Sequence, residues 1–335
     1  MTGRRRNEET TDKIKIIETN NIDVVEQILQ DTDTDSLVVF DCDDVLLTIA
    51  DSVFYRPGTG KNSLNGKISL FDELYEQEFG QQSSETRIVH SAAVLATNEP
   101  RVVCERMPVI VRNLQNRGIK CIVATAICPH PSCCMSNPIE WRTQTLRQHE
   151  YNFETSFQHL QNKTFDDIQG LYQPVYNNGI LYCSCTPKDV VLELFLKYAQ
   201  INPQLIVFID DSKRNIDIIG DFCKKNDIDY VGIYYTEARM QHDRCAQVSR
   251  DRSVFQMQVL KEYCIWLPDE IILDGPLCVD WVAFCHKSIL CGNVQCTKIL
   301  VEKIDNSDKA SLAALAKTTG NSRIIEIFTA TQFCE

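Results

Sequence analysis

The 335-residue chain contains no apolar run approaching the ~20 residues that cross a bilayer as a helix. Its first residues, MTGRRRNEETTDK, hold three arginines with no apolar stretch after them. They do not read as a secretory leader, and residues 1–20 are expected to form a disordered lead. Positive charge is in deficit: 34 Lys and Arg against 46 Asp and Glu leave a net charge of −12. That balance disfavours nucleic acid, whose phosphates need clustered Lys and Arg. It also disfavours broad adsorption to anionic lipid. A clean pair of C-x-x-C units is missing as well. The chain has 16 cysteines, but without a leader the expected compartment is a reducing cytosol, where they stay free thiols. The densest group, Cys128, His130, Cys133 and Cys134, is a poor match to zinc-ligand spacing, and Cys183 with Cys185 makes a further pair. A hydrophobic content of 44% with 24% charged residues is that of an ordinary globular protein.

What the chain does have begins at Ser36. The apolar run Leu37-Val38-Val39-Phe40 leads into Asp41-Cys42-Asp43-Asp44. A carboxylate buried without a partner is costly, so a strand ending in D-x-D makes sense where a cation or phosphate sits. Open parallel sheets bind ligands beyond the carboxyl ends of their strands. Three further segments end in chemistry-bearing residues. Gly118 to Ala126 reads as a short strand ending at Thr125. Pro187 to Leu196 reads as a helix with Lys188 in its first turn. Leu205 to Ile209 reads as a strand ending in Asp210-Asp211, followed by Ser212-Lys213-Arg214-Asn215. Each has a plain alternative: a strand-end Thr, a solvated Lys, a helix cap. Lys197 competes with Lys188, but it lies ~14 Å farther along the same helix, away from the sheet edge.

The order D-x-D, Thr, Lys, D-D resembles the haloacid dehalogenase-like superfamily of aspartate-nucleophile phosphotransferases, over about Leu37 to Thr236. The second Asp of the first motif resembles that of the phosphatase branch. Asp44 stands where many members have Gly, and its side chain is expected to point to solvent. The run FIDDSKRNI is most similar to members from intracellular bacterial pathogens. The resemblance implies Asp41 as nucleophile and Asp43 as general acid and base. It implies Mg²⁺ held by Asp41, Asp211 and the backbone carbonyl of Asp43, with Asp210 binding an outer water or positioning Lys188. It implies Lys188, the Thr125 hydroxyl and the Ala126 amide on the phosphoryl oxygens.

Two other enzyme-like readings are weighed on motif order. Receiver-like switch domains also gather Asp, Thr and Lys around Mg²⁺, but place their acidic pair first and Lys last. Cysteine-nucleophile phosphatases need Cys and Arg with five residues between, and no Cys here has Arg six positions on. The expected substrate is a phosphorylated protein, phosphotyrosine ahead of phosphoserine, because a phenolate leaves easily and Phe54 and Tyr55 could stack on it. A small-metabolite phosphomonoesterase and a non-catalytic scaffold are the alternatives. The pathogen resemblance adds the expectation of a cytoplasmic effector delivered into a host cell.

The expected fold is α/β: a Rossmann-like parallel sheet of the haloacid dehalogenase type with helical cap insertions, plus a C-terminal all-α module. The core spans residues 21–243, with insertions at about 50–105 and 128–178. From about Arg244 strand signals fade and helical patterns follow one another to Thr329, expected as a separate module docking to a protein or membrane. Within it, CGNVQCTKILVEK and TGNSRIIEIFTAT faintly resemble the second helix of ankyrin repeats. Two copies are too few for a solenoid, so a small helical bundle is expected.

Overall fold

The computed structural model describes residues 13–54, 69–168, 170, 172–244, 249–272, 279–290 and 292–330. The first half holds β1 (Ile14–Thr19), α1 (Ile22–Gln30), β2 (Ser36–Phe40), β3 (Leu47–Ile49), α2 (Leu70–Phe79), α3 (Ser84–Thr97), β4 (Pro100–Val102), α4 (Met107–Asn116) and β5 (Lys120–Thr125). Next come α5 (Pro138–Gln148), β6 (Lys163–Thr164), β7 (Val175–Asn177), β8 (Ile180–Tyr182), α6 (Lys188–Ala199), β9 (Leu205–Asp210), α7 (Lys213–Lys225) and β10 (Asp229–Tyr235). Helices α8 (Glu237–Arg244), α9 (Arg250–Tyr263), α10 (Trp281–Leu290), α11 (Val294–Val301), α12 (Asn306–Thr319) and α13 (Ser322–Ala330) follow.

Eight strands form one sheet in the order β1-β10-β9-β2-β5-β8-β7-β6. It is parallel from β1 to β8 and antiparallel only through β7 and β6. The protein is therefore α/β with a mostly parallel sheet. The two-residue period of a strand sends alternate side chains to opposite faces. Val38 and Phe40 join a core with Val25 and Leu29 of α1 and Met107 and Val111 of α4. Leu37 and Val39 join a second core with Val191 and Phe195 of α6 and Ile216 and Ile219 of α7. Every residue of β2 is buried, which is why it reads as a continuous apolar run. The chain leaves β2 toward β5 and β8, then returns to β9 on its other side. Beside β2 lies the switch point where such sheets bind ligands.

Three expectations need correction. The lead expected over residues 1–20 is corrected at its end, because Ile14–Thr19 forms an edge strand paired in parallel with β10; residues 1–12 lie outside the described residues. Ile14 and Ile17 are half-buried and Ile16 is exposed, so this short edge strand carries no clean alternation to stand out after a charged lead. The insertion at 128–178 is not simply helical: β6 and β7 extend the sheet beyond β8. The module boundary near Arg244 cuts a shared core. Met257, Leu260 and Trp266 pack with Val53, Leu74, Tyr75, Ala93 and Val94 of the first insertion, and α9 lies on α2. A second helical core, from Val259 to Phe328, does sit beyond it.

The first insertion rises from the β3–β4 ribbon, whose antiparallel pairing brings its two ends together. Ser69 and Asp72 close a capping box on α2, and Ser83 caps α3. At the C-terminus α10 contacts α11 and α12, while α13 contacts α11 and α12. The four helices form two helical hairpins that pack on each other. The repeated Gly-Asn explains them. Gly292 and Gly320 take left-handed φ of +70° and +68°, and the next residue starts a helix, Asn293 accepting from the Cys296 amide at 2.9 Å and Asn321 from the Ile324 amide at 3.4 Å.

Candidate functional site

Strands β2, β5 and β9 end side by side, in register, and deliver Asp41, Thr125 and Asp210 to one sheet edge. The Asp41 amide continues the ladder to the Ile209 carbonyl at 2.8 Å. Its carboxylate accepts from the Cys42 amide at 2.7 Å and meets Lys188 Nζ at 2.7 Å. Lys188, the first residue of α6, is buried and also donates to Asp210 at 2.8 Å. Lys197 stays at the surface with Glu193. Asp210 is fully buried, and Asn215 donates to both its oxygens at 3.1 Å. Asp210 also accepts from the Ser212 amide at 2.8 Å, so it organises the start of α7.

Carboxylate oxygens of Asp41, Asp210 and Asp211 all lie within 4.8 Å of one another. Three acidic groups this close in a buried place form a hard oxygen donor set, the kind that holds Mg²⁺. Burial pushes the Asp41 carboxyl well above the usual carboxylate range, Lys188 opposes this, and the Asp210 and Asp211 charges add to it. Burial pulls Lys188 down, but Asp41 and Asp210 outweigh it and hold its ammonium above the ordinary lysine range. Lys188 serves Asp41 and Asp210 while Arg239 serves Asp211, so two cationic side chains face three carboxylates, a deficit that a bound cation would balance.

The Asp43 carboxylate belongs to another group. Arg142 Nη2 donates to its two oxygens at 2.7 and 3.0 Å, and the Thr125 hydroxyl approaches at 3.4 Å. Any part Asp43 has in cation binding therefore falls to its backbone. Asp44 departs from the expected solvent-facing pose: its φ is +60°, the conformation that favours glycine, and its side chain accepts from the Thr48 hydroxyl at 2.7 Å. A short polar side chain tolerates this region by such local bonding.

Two arginines in the site escaped sequence reading. Arg142 on α5 has no exposed surface. It falls on the helix's buried stripe, between Pro138 and Leu146. An arginine at an inward position of an amphipathic helix was the available signal. Arg239 on α8 donates to the Asp211 carboxylate at 3.1 Å and to the Tyr234 hydroxyl at 2.5 Å. Nothing local marks it, since α8 carries only Ala238 and Met240 as apolar residues and shows no amphipathic stripe. Replacing Arg142 by Met should keep the fold and cut turnover of any substrate that needs Asp43 by about 10²-fold, the scale of one positioned acid–base group. Steady-state kinetics beside circular dichroism checks this, and unchanged kcat would remove Arg142 from the site.

A cavity of about 590 Å³ opens beside this edge, lined by Asp43, Asp44 and Ala126 but not by Asp41, Lys188, Asp210 or Asp211, and by Phe54, Phe71 and Arg87 of the first insertion. Phe54 serves as wall and as core, 4.7 Å from Phe71 and 5.3 Å from Trp266 between ring centroids. Tyr55 lies outside the described residues. The dense Cys/His stretch splits: Cys133 and Cys134 gather with Cys264, while His130 stacks on Tyr172 and Cys128 stands apart.

A family described as "Protein of unknown function (DUF2608)" matches residues 18–272. The chain belongs to this family. The match covers every residue of the site, and also α9 and Trp266, but ends before α10. Similar segments occur in three proteins named "Putative outer membrane protein". That of Chlamydia pneumoniae is 36% identical over 83 residues, 24% of this chain and 32% of the relative. That of Chlamydia trachomatis is 34% identical over 64 residues, 19% and 24%. That of Chlamydia muridarum is 34% identical over 61 residues, 18% and 23%. The chain thus spans about a third or less of the curated relatives it matches. No solved structure matches. Among the described residues no helix is long and apolar enough to cross a membrane.

Proposed function

We propose that this family member is a Mg²⁺-dependent phosphatase of the haloacid dehalogenase type. The observation that carries the reading is the buried constellation of Asp41, Lys188, Asp210 and Asp211 at the sheet's switch point. Lys188 pairs with Asp41 and Asp210 and Arg239 with Asp211, which leaves three clustered carboxylates for two cationic side chains, and burying such an excess costs more desolvation than it gains unless something else binds. Asp41 attacks phosphorus, its oxygen bonding as the ester P–O bond breaks, and an aspartyl-phosphate forms. Asp43, oriented by Arg142, gives its proton to the leaving oxygen. It then takes one from the water that attacks phosphorus and frees Asp41. Lys188 neutralises charge on the nucleophile and phosphoryl group, and Thr125 with the Ala126 amide holds a phosphoryl oxygen. Asp41, Asp211 and the Asp43 carbonyl would hold Mg²⁺, which would supply further charge neutralisation. Asp210 keeps Lys188 in place.

The substrate we favour is a phosphoprotein, phosphotyrosine ahead of phosphoserine. A cavity walled by Phe54 and Phe71 suits an aromatic ring, and its volume suits a side chain better than a nucleic acid strand. The helices beyond residue 272 would then serve placement, on a protein or a membrane face, and delivery into a host cell fits that arrangement. The test is phosphate release with Mg²⁺ from phosphotyrosine and phosphoserine peptides beside sugar phosphates and nucleotides. Phosphotyrosine peptides should lead in kcat/KM by at least about tenfold, which is ~1.4 kcal/mol of transition-state binding. Preference for small metabolites would make it a metabolite phosphomonoesterase. Failure on every ester, with Mg²⁺ bound, would leave a scaffold.

A further inference from the structure

Away from the carboxylates, three thiols meet. Cys133 and Cys134 lie in the loop between β5 and α5, and Cys264 ends α9, 130 residues beyond Cys134 in sequence. The Cys133 and Cys134 sulfurs are 3.5 Å apart, and so are those of Cys134 and Cys264. A disulfide would need ~2.05 Å. Thiolates on one tetrahedral zinc stand about 3.8 Å apart, the edge set by Zn–S bonds of ~2.3 Å. The observed spacing lies close to that edge. Cys264 takes φ of +55°, a helix-ending conformation that glycine favours. In that pose its sulfur points at Cys134 instead of leaving α9. The three soft donors form a compact set, and soft thiolates select zinc over magnesium. Cys134 is buried while Cys133 is exposed, so the set has a protein side and a solvent side.

We propose that Cys133, Cys134 and Cys264 bind a zinc ion, with water in the fourth position on the Cys133 side. Binding releases the thiol protons to solvent, and no electron transfer is involved. The ion ties the loop to the end of α9. That loop also carries His130, Ser132 and Met135, which line the cavity, so zinc fixes one wall of the cleft while standing apart from the carboxylates. The inference does not rest on the phosphatase reading.

The test uses the full chain, reduced, with Co²⁺ as the probe. A thiolate-to-cobalt charge-transfer band in the near ultraviolet reports sulfur ligands and is blind to the carboxylate cluster. The band should saturate at one cobalt per chain and vanish when Zn²⁺ displaces it. C133S, C134S and C264S should each lose most of it, while C128S keeps it. Zn²⁺ should raise the Tm of the wild type but not of C133S, whose exposed side chain can change without opening a hole. No band in the wild type, an undiminished band in a C134S/C264S double variant, or a Cys134–Cys264 disulfide persisting under reductant would each overturn the proposal.

Discussion

Asp41→Asn should leave the protein folded and reduce Mg²⁺-dependent hydrolysis of an aryl phosphate by on the order of 10⁴-fold or more, the scale on which removing a covalent nucleophile acts. Asparagine keeps the shape and can still accept from the Cys42 amide, but it cannot form the phosphoenzyme. Stability should not suffer. Burial and the charges of Asp210 and Asp211 hold the Asp41 carboxyl above its ordinary range. A carboxyl raised in the folded state contributes stability that is full at low pH and lost as pH rises through the raised value. Without metal, then, wild-type Tm should fall with rising pH, and Asp41→Asn should flatten that fall. Lys188 keeps Asp210 as partner at 2.8 Å, so the substitution leaves no buried charge alone. Stopped assays on an aryl phosphate, with thermal melts across pH, measure both parts. Retention of most of the activity would end the nucleophile assignment.

The legible part of this site was the part written locally. A fully buried strand followed by Asp41 shows in sequence because burial forces an apolar run, and a charged residue at its end then stands out. Lys188 was separable from Lys197 because nine helical positions carry one of them away from the sheet edge. Asn215 was legible too, since it follows the acidic pair within one helical turn. Arg142 and Arg239 were not, because their partners lie 99 and 28 residues away. Neither pairing leaves a local period. The same holds for Cys264, which reads as a helix-end residue until the fold brings Cys134 to it. Strand β1 escaped reading for another reason. Edge strands bury little, so IKIIET shows no clean alternation, and the pairing with β10 decides the structure. The Gly-Asn repeats stand at the starts of α11 and α13, yet the stacking of those helices depends on contacts that only three dimensions supply.

Deleting everything from Arg244 onward should cost the protein its soluble fold. Met257, Leu260 and Trp266 have no exposed surface, and they close the core around Val53, Leu74, Tyr75, Ala93 and Val94. Uncovering that contact forfeits roughly 2–3 kcal/mol for each large side chain. Three such losses approach the ~5–15 kcal/mol that stabilises a whole domain. Polar groups suffer too. Asp51 is buried, accepting from the Trp266 indole at 2.6 Å and the Asp269 amide at 2.8 Å, while Asp269 accepts from the Ser52 amide at 2.8 Å. Burial, helped by the Asp269 charge, pushes the Asp51 carboxyl up to about 7 against those donors. Without residues 264–272 the donors go. A chain ending at Ile272, where the family match also ends, keeps α9, Cys264, Trp266 and Asp269. It uncovers Val259, Ile265, Leu267, Ile271 and Ile272, which pack with the helices beyond, so it should melt below the full chain yet keep the first insertion's core and act on a small aryl phosphate. Both truncations can be compared by soluble yield, thermal melting and aryl phosphate turnover. If the chain ending at Asp243 melts like the full protein and turns over the same ester, the shared core does not hold the first insertion in place. The helices from α9 onward would then be a separable module after all.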